Sequence, residues 1–114
     1  MQSLTDSDAI VPPVYVDTLE ASPGSKARTF RAGTLYCHMT AADVSAGAVE
    51  ALHALAQSIG LQRAWFQASP PASWPHYDLV ASKRGLALAA GAVSETRLEG
   101  GRRRMAVRTG KVTT

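Results

Sequence analysis

The chain has 114 residues, of which 46% are hydrophobic and 18% are charged, a composition typical of one globular domain that excludes a disordered chain. Its only cysteine, Cys37, excludes an intramolecular disulfide and a cysteine-based zinc site. No apolar run approaches the roughly 18 residues of a membrane span, and the polar first residues are not typical of a secretion signal. We therefore expect a cytoplasmic protein without a membrane partner.

The net charge of +3 is unevenly distributed along the chain. Residues 1–99 carry seven Lys and Arg against nine Asp and Glu, a net charge of −2, whereas every charged residue of 100–114 is positive. We predict a flexible N-terminus over 1–10, an α/β domain over 11–99, and a glycine-containing, basic, disordered tail over 100–114. The cations of this tail would attract nucleic acid or another phosphate-containing ligand; they are Arg102, Arg103, Arg104, Arg108 and Lys111.

The first half of the domain is predicted to form two strands and a helix. The segment VPPVYVD over 11–17 favours a strand, and a second extended segment is predicted over 34–39. A helix is predicted from about Asp43 to Ile59, because apolar residues recur at helical spacing and Gly60 follows as a C-terminal stop.

The second half is predicted to add two strands and a second helix. A strand is predicted over 63–67, and the proline-rich residues 69–75 are irregular. A helix then begins with Asp78 as its N-cap and stops at Gly91, before a last strand over 92–97. This order predicts an α/β fold with a small, three- to four-stranded, mostly parallel sheet and two main helices.

Polar residues are concentrated where two of the predicted strands lead into helices. In a parallel sheet these junctions lie at the same edge, where ligands bind, so we expect the three histidines to converge there. The candidate residues on or beside this edge are His38, Asp43, His53, His76, Tyr77, Asp78, Lys83 and Arg84.

Histidine titrates near neutral pH, so one of His38 and His76 would act as general acid and the other as general base. Asp43 or Asp78 would orient them. The two cations that follow Asp78 would hold a phosphate group. His53 is a further catalytic candidate and Tyr77 a further substrate-binding one. Histidine and aspartate also ligate metals, but no spacing such as HExxH or HxH is present, so the spacing predicts no metal ligands.

Several of these residues also have a purely structural interpretation. His53, on the flank of a helix, is equally suited to a half-buried place in the core. Asp78 is explained by capping alone, and Lys83 by a solvated helix face.

The segments VYVD, LYCHMTAAD, LHALAQSIGLQRAWFQ and PHYDLVASKRGLALAAGAV occur in this order. They resemble a small bacterial and phage family catalogued as domain of unknown function four-thousand-and-thirty-one. The resemblance covers about residues 14–93, whereas the tail after Val93 does not follow it. It implies the same polar residues and adds Asp17 as a substrate-binding candidate, but it implies no activity and no cofactor.

Two classes of function fit these residues. The first is a small enzyme that acts on a phosphoester or nucleotide through a cleft of histidine, aspartate and arginine. The alternative is a non-catalytic module that binds a nucleotide, a nucleic acid or a protein through the same residues.

Overall fold

The computed structural model describes residues 11–23, 30–68 and 74–110. The strands in these ranges are β1 (Val14–Val16), β2 (Glu20–Ala21), β3 (Leu35–Ala41), β4 (His76–Val80) and β5 (Val93–Ser94). The helices are α1 (Ala46–Ser58), α2 (Ala81–Ala89) and α3 (Arg97–Arg108), with a 3₁₀ turn at Arg63–Trp65. No helix in these three ranges has the length and apolar character needed to span a membrane. The predicted flexible segment over 1–10 lies outside the described residues.

β3 is the central strand of a five-stranded mixed sheet. It pairs antiparallel with β4 on one edge and with β1 and β2 on the other, and β5 pairs in parallel with β1. The α/β class is confirmed, but the prediction of a mostly parallel sheet with two main helices is wrong. β4 begins with His76 beside Thr40, near the end of β3, and so runs antiparallel to β3.

One face of the sheet is covered by α1 and α2. Side chains alternate between the two faces of a strand, and the odd-numbered residues of 37–41 and 77–79 point toward these helices. The helices contribute small and branched apolar side chains to this single core. Its buried members are Val14, Val16, Cys37, Met39, Ala41, Ala48, Leu52, Ala56, Ile59, Tyr77, Leu79 and Ala87.

α1 begins later than predicted because a turn precedes it. The carboxylate of Asp43 accepts the backbone N–H of Ser45 at 2.8 Å, and the Ser45 hydroxyl then accepts the N–H of Ala48 at 3.2 Å. Ser45 is therefore the N-cap. Gly60 adopts a φ of 86° after the helix, which confirms the predicted glycine stop.

The segment from His76 to Val80 is a strand, so the prediction that Asp78 caps a helix is wrong. α2 begins directly after Val80 without a side-chain cap. The physical reason is the alternation of the segment: Tyr77 and Leu79 are both buried, and their burial outweighs the capping preference of the aspartate between them. Gly91, with a φ of 111°, ends α2 as predicted.

Two further predicted strands are shorter in the structure. Residues 63–65 form a 3₁₀ turn in place of a strand, and Gln67 alone makes an isolated bridge to His76. The last strand is confined to β5.

The prediction of a disordered tail is wrong for residues 100–108, which belong to α3; residues 111–114 lie outside the described part. The helix begins with a capping box. The Thr96 hydroxyl accepts the N–H of Glu99 at 3.0 Å, and the Glu99 carboxylate accepts the N–H of Thr96 at 2.7 Å. This reciprocal cap compensates for the two glycines that follow.

Arg103 attaches α3 to the sheet with all five of its N–H donors. It binds both carboxylate oxygens of the buried Glu95 at 2.9 and 3.1 Å. It also donates to the carbonyls of Ala41 and Ala42 and to the hydroxyl of Thr40, at 2.9 to 3.2 Å. Its guanidinium carbon lies 3.8 Å from the ring centroid of Tyr15, within the range of a cation–π contact.

We expect Leu52→Ala to lower the free energy of unfolding by about 2–5 kcal/mol, because it removes a fully buried side chain from the core. Urea denaturation measures the change. Leu86→Ala is the matched control, since Leu86 is 50% exposed on α2. An equal loss in the two variants would contradict the assignment of the core face of α1.

We expect Arg103→Ala to cost about 3–5 kcal/mol of unfolding free energy, because the buried carboxylate of Glu95 is left without its partner. The control is Arg102→Ala, an exposed neighbour on α3, for which a change within about 0.5 kcal/mol is expected. If both variants unfold at the wild-type urea concentration, α3 does not depend on Arg103 for its attachment.

Candidate functional site

The face of the sheet opposite α1 and α2 carries polar side chains in its centre. His38 of β3 lies directly across from Asp78 of β4, and Thr40 lies across from His76. Because residues two apart on a strand share a face, this register brings two imidazoles and a carboxylate onto one small area.

The imidazole of His38 is fixed by Asp17, the residue after β1. Asp17 Oδ2 lies 2.9 Å from His38 Nδ1, and Oδ1 accepts the backbone N–H of His38 at 2.7 Å. Burial alone would raise the pKa of Asp17, but the hydrogen bonds from His38 outweigh burial and lower it. An ionised carboxylate only accepts hydrogen bonds, so Nδ1 of His38 carries the proton.

The imidazole of His76 is fixed by the chain just before β4. His76 Nδ1 lies 2.8 Å from the carbonyl oxygen of Trp74, and a carbonyl oxygen only accepts. Trp74 is itself buried, and its indole N–H donates to the carbonyl of Ala41 at 2.8 Å. Nδ1 of His76 therefore also carries a proton.

The remaining ring nitrogens of both histidines face the same carboxylate. His76 Nε2 lies 3.4 Å from Asp78 Oδ1 and His38 Nε2 lies 3.9 Å from it. The three donor atoms lie within 4.8 Å of one another. We refer to His38, His76 and Asp78 as the histidine–aspartate cluster.

The carboxylate of the cluster is held in its ionised form. Burial would raise the pKa of Asp78, but the hydrogen bond that His76 donates when its Nε2 is protonated, together with the one from Gln67, outweighs burial and lowers it. Gln67 Nε2 donates to Asp78 Oδ2 at 3.0 Å, which leaves Oδ1 on the side of the histidines.

This arrangement has a specific chemical consequence. When the histidines are neutral with Nδ1 protonated, each Nε2 presents a lone pair toward Asp78 Oδ1. Two lone pairs and a carboxylate oxygen repel one another unless a cation lies between them. A proton on an Nε2 or a metal ion would supply that positive charge, and only a metal ion would satisfy all three atoms at once.

His53 and Tyr77 lie on the other face of the sheet, away from the cluster. His53 Nδ1 is 2.7 Å from the Tyr77 hydroxyl, and Tyr77 belongs to the core beneath α1. Burial, and then the charge of Arg63, lowers the pKa of His53. The expectation that all three histidines converge is therefore wrong, because the alternation of β4 sends Tyr77 and Asp78 to opposite faces.

The two cations predicted to hold phosphate are bound to the protein's own backbone. Lys83 Nζ donates to the carbonyl of Ile59 at 2.7 Å and so caps the C-terminal end of α1. Arg84 Nε donates to the carbonyl of Asp17 at 2.8 Å, and its Nη2 donates to the hydroxyl of Ser94 at 3.2 Å. These contacts give both side chains structural roles.

Asp43 lies in the turn before α1, where the N–H of Ser45 holds its carboxylate. That hydrogen bond lowers the pKa of Asp43. Of the predicted site residues, the structure therefore brings together Asp17, His38, His76 and Asp78.

Sequence reasoning missed the pattern that creates the cluster. His76 and Asp78 are two residues apart, a spacing that places both side chains on one face of a strand. The segment HYDLV alternates polar and apolar residues and thereby indicates a strand, but the capping preference of aspartate favours a helix start at the same residue. Gln67 and the carbonyl of Trp74 lie far from His38 in sequence and carry no motif that would have indicated their roles.

The fold and the cluster define a small α/β protein with a mixed sheet and a polar site on the face opposite α1 and α2. The chain belongs to the family described as protein of unknown function DUF4031, whose pattern matches residues 14–110. The match extends beyond Val93 and includes α3, which corrects the expectation that the C-terminal segment departs from the family. No curated protein and no solved structure matches the chain.

We expect the histidines to adopt two different neutral tautomers. His38 and His76 should be protonated on Nδ1. We expect His53 to be protonated on Nε2, with its Nδ1 accepting the hydroxyl hydrogen of Tyr77, 2.7 Å away. Long-range ¹H–¹⁵N NMR spectra recorded at alkaline pH distinguish the two forms. An Nε2-protonated form of His38 or His76 would contradict the hydrogen bonds assigned to their Nδ1 atoms.

Proposed function

We propose that this chain binds one divalent transition-metal ion through the histidine–aspartate cluster and uses it to activate water for hydrolysis. The observation that carries the proposal is the convergence of His38 Nε2, His76 Nε2 and Asp78 Oδ1 within 4.8 Å. Imidazole and carboxylate together suit zinc, iron and neighbouring metals.

The distances from Asp78 Oδ1 to the two imidazole nitrogens are close to those around a tetrahedral ion. Metal–ligand bonds of zinc place neighbouring donors about 3.3 Å apart. The 3.4 Å between His76 Nε2 and Asp78 Oδ1 is close to this separation, and the 3.9 Å to His38 Nε2 would need to shorten by a small ring rotation.

The hydrogen bonds behind the ligands are those that metal sites use. A ligating histidine typically donates its other ring N–H to a carboxylate or a carbonyl, which fixes the tautomer. Asp17 supplies the carboxylate for His38 and Trp74 supplies the carbonyl for His76. Gln67 fixes the ligating carboxylate in the same way.

Three protein ligands leave a coordination position for water, as in catalytic zinc sites. The site is within reach of solvent, since the side chains of His38 and His76 are 26% and 14% exposed. A bound metal lowers the pKa of water to about 7 and so supplies a nucleophile at neutral pH. In this arrangement Asp17, Gln67 and the Trp74 carbonyl are positioning groups.

Metal ligation explains these contacts better than a division of proton transfer between His38 and His76. A general acid and a general base act on different atoms of a substrate, whereas both histidines here direct Nε2 toward one carboxylate oxygen. A non-catalytic module would use the same cluster to hold a metal, and a hydrolysis assay separates it from an enzyme.

We expect the full chain to bind Zn²⁺ with a stoichiometry of one in isothermal titration calorimetry. His38→Ala, His76→Ala and Asp78→Asn should each weaken binding by at least about 100-fold, because each removes a ligand. His53→Ala is the matched control and should bind as the wild type does. Asp17→Asn should weaken binding by about 10–100-fold, the effect of losing a group that orients a ligand.

Circular dichroism establishes that each variant is folded before its affinity is compared. Equal affinity of wild type and His76→Ala, with both proteins folded, would overturn the metal site. Mn²⁺, Co²⁺ and anaerobic Fe²⁺ are compared with Zn²⁺ in the same titration to identify the preferred metal.

A further inference from the structure

α3 borders the histidine–aspartate cluster along one side. At its start, Arg97 forms an ion pair with Glu20 at 2.7 Å, and Glu20 also accepts the hydroxyl of Tyr36 at 3.1 Å. At its end, the guanidinium carbon of Arg108 lies 6.0 Å from the ring centroid of Trp74. Tyr36 contacts the ring of one cluster histidine, and the Trp74 carbonyl holds the other. Side-chain contacts therefore connect the start of the helix to His38 and its end to His76.

Arg104 lies between these two ends on the same stripe of α3. Arg97, Arg104 and Arg108 are seven and four residues apart, a spacing that places them on one side of a helix. A Cβ atom on the buried Gly100 would lie 3.0 Å from Arg104 Nη1 and 2.7 Å from Glu95 Oε2. The Arg104 side chain thus folds back over Gly100, toward the sheet.

The guanidinium of Arg104 is half-buried, yet it makes no hydrogen bond or ion pair with residues in the described ranges. Burial, followed by the charge of Arg103, lowers its pKa, while Glu95 and Asp17 raise it. Arg103 already uses both oxygens of Glu95, and Asp17 is bonded to His38. Removing a charge from water is costly unless it is paired, so an anion from outside the protein would stabilise this partly buried guanidinium.

We propose that Arg104 binds a phosphate group of the substrate beside the metal ion, which makes the substrate a phosphoester. The inference rests on the proposed metal site. A phosphate group offers several oxygens, so that one reaches the metal while others accept two parallel hydrogen bonds from a guanidinium. Arginine and a metal ion together stabilise the charge that develops on a phosphoryl group during transfer.

The reaction is hydrolysis of the phosphoester. The oxygen of the metal-bound water forms a bond to phosphorus, and the bond from phosphorus to the ester oxygen breaks with its electron pair on that oxygen. One proton of the water ends on the released alcohol.

Arg104 replaces Lys83 and Arg84 as the proposed phosphate-binding residue, since the side chains of both of those are bound to backbone carbonyls.

The test measures binding of inorganic phosphate to the full chain loaded with one equivalent of Zn²⁺. Arg104→Gln should weaken phosphate binding at least about tenfold, because it removes a charge-assisted pair of hydrogen bonds. Its affinity for Zn²⁺ should be unchanged. The matched control is Arg102→Gln, an exposed arginine of the same helix, which should bind phosphate as the wild type does. Arg104→Lys should recover only part of the affinity, because lysine keeps the charge but loses the paired geometry.

Failure to bind Zn²⁺ would overturn the proposed metal site. Normal Zn²⁺ binding with equal phosphate affinity in Arg104→Gln and Arg102→Gln would overturn the role of Arg104 alone. Acetate that binds as tightly as phosphate would overturn the choice of a phosphoester. Binding of AMP and of a short single-stranded DNA distinguishes the two sources of the phosphate group. Tighter binding of the DNA identifies a nucleic acid as the ligand, and equal binding of the two identifies a free nucleotide. Loss of binding of either ligand in Arg104→Gln supports the phosphate subsite.

Discussion

β3 is paired along both of its edges, and this double pairing determines where every functional side chain of the sheet lies. β4 fixes one edge and β1 with β2 fixes the other, so the register cannot shift without breaking both ladders. A slip of one residue would exchange Cys37 and His38 between the core and the polar face. The histidine–aspartate cluster therefore rests on paired strands, which hold side chains more firmly than loops do.

The polar face carries buried or half-buried carboxylates, and two of them are compensated by a basic side chain from another element. Asp17 meets His38, and Glu95 meets Arg103. Such pairs add little net stability against an apolar core of the same shape, but losing one partner is costly. The pair of Glu95 and Arg103 attaches α3 to the sheet. The same contacts therefore balance the buried charge and fix the position of the helix that borders the cluster.

The sequence predicted the helices α1 and α2 and their glycine stops well, because helical spacing and glycine at a positive φ are local signals. It failed where two local rules competed. In HYDLV the capping preference of Asp78 opposed the alternation that buries Tyr77, and burial decided the outcome. The arginines of residues 100–108 indicated a solvated tail. In the structure Arg103 donates to acceptors on β3, Ala42 and Glu95. Only the folded chain brings these acceptors together.

The three histidines show why residue type alone could not define the site. His53 and His76 are both half-buried and both use Nδ1 in a hydrogen bond. The partner of His76 is a carbonyl, which can only accept, whereas the partner of His53 is a hydroxyl, which can donate. The first partner leaves Nε2 as a lone-pair donor toward Asp78. A Tyr77 hydroxyl that donates to His53 Nδ1 would leave the proton of His53 on Nε2. The ability to ligate a metal is thus decided by the group behind each ring, and that group is set by the pairing of β3 and β4.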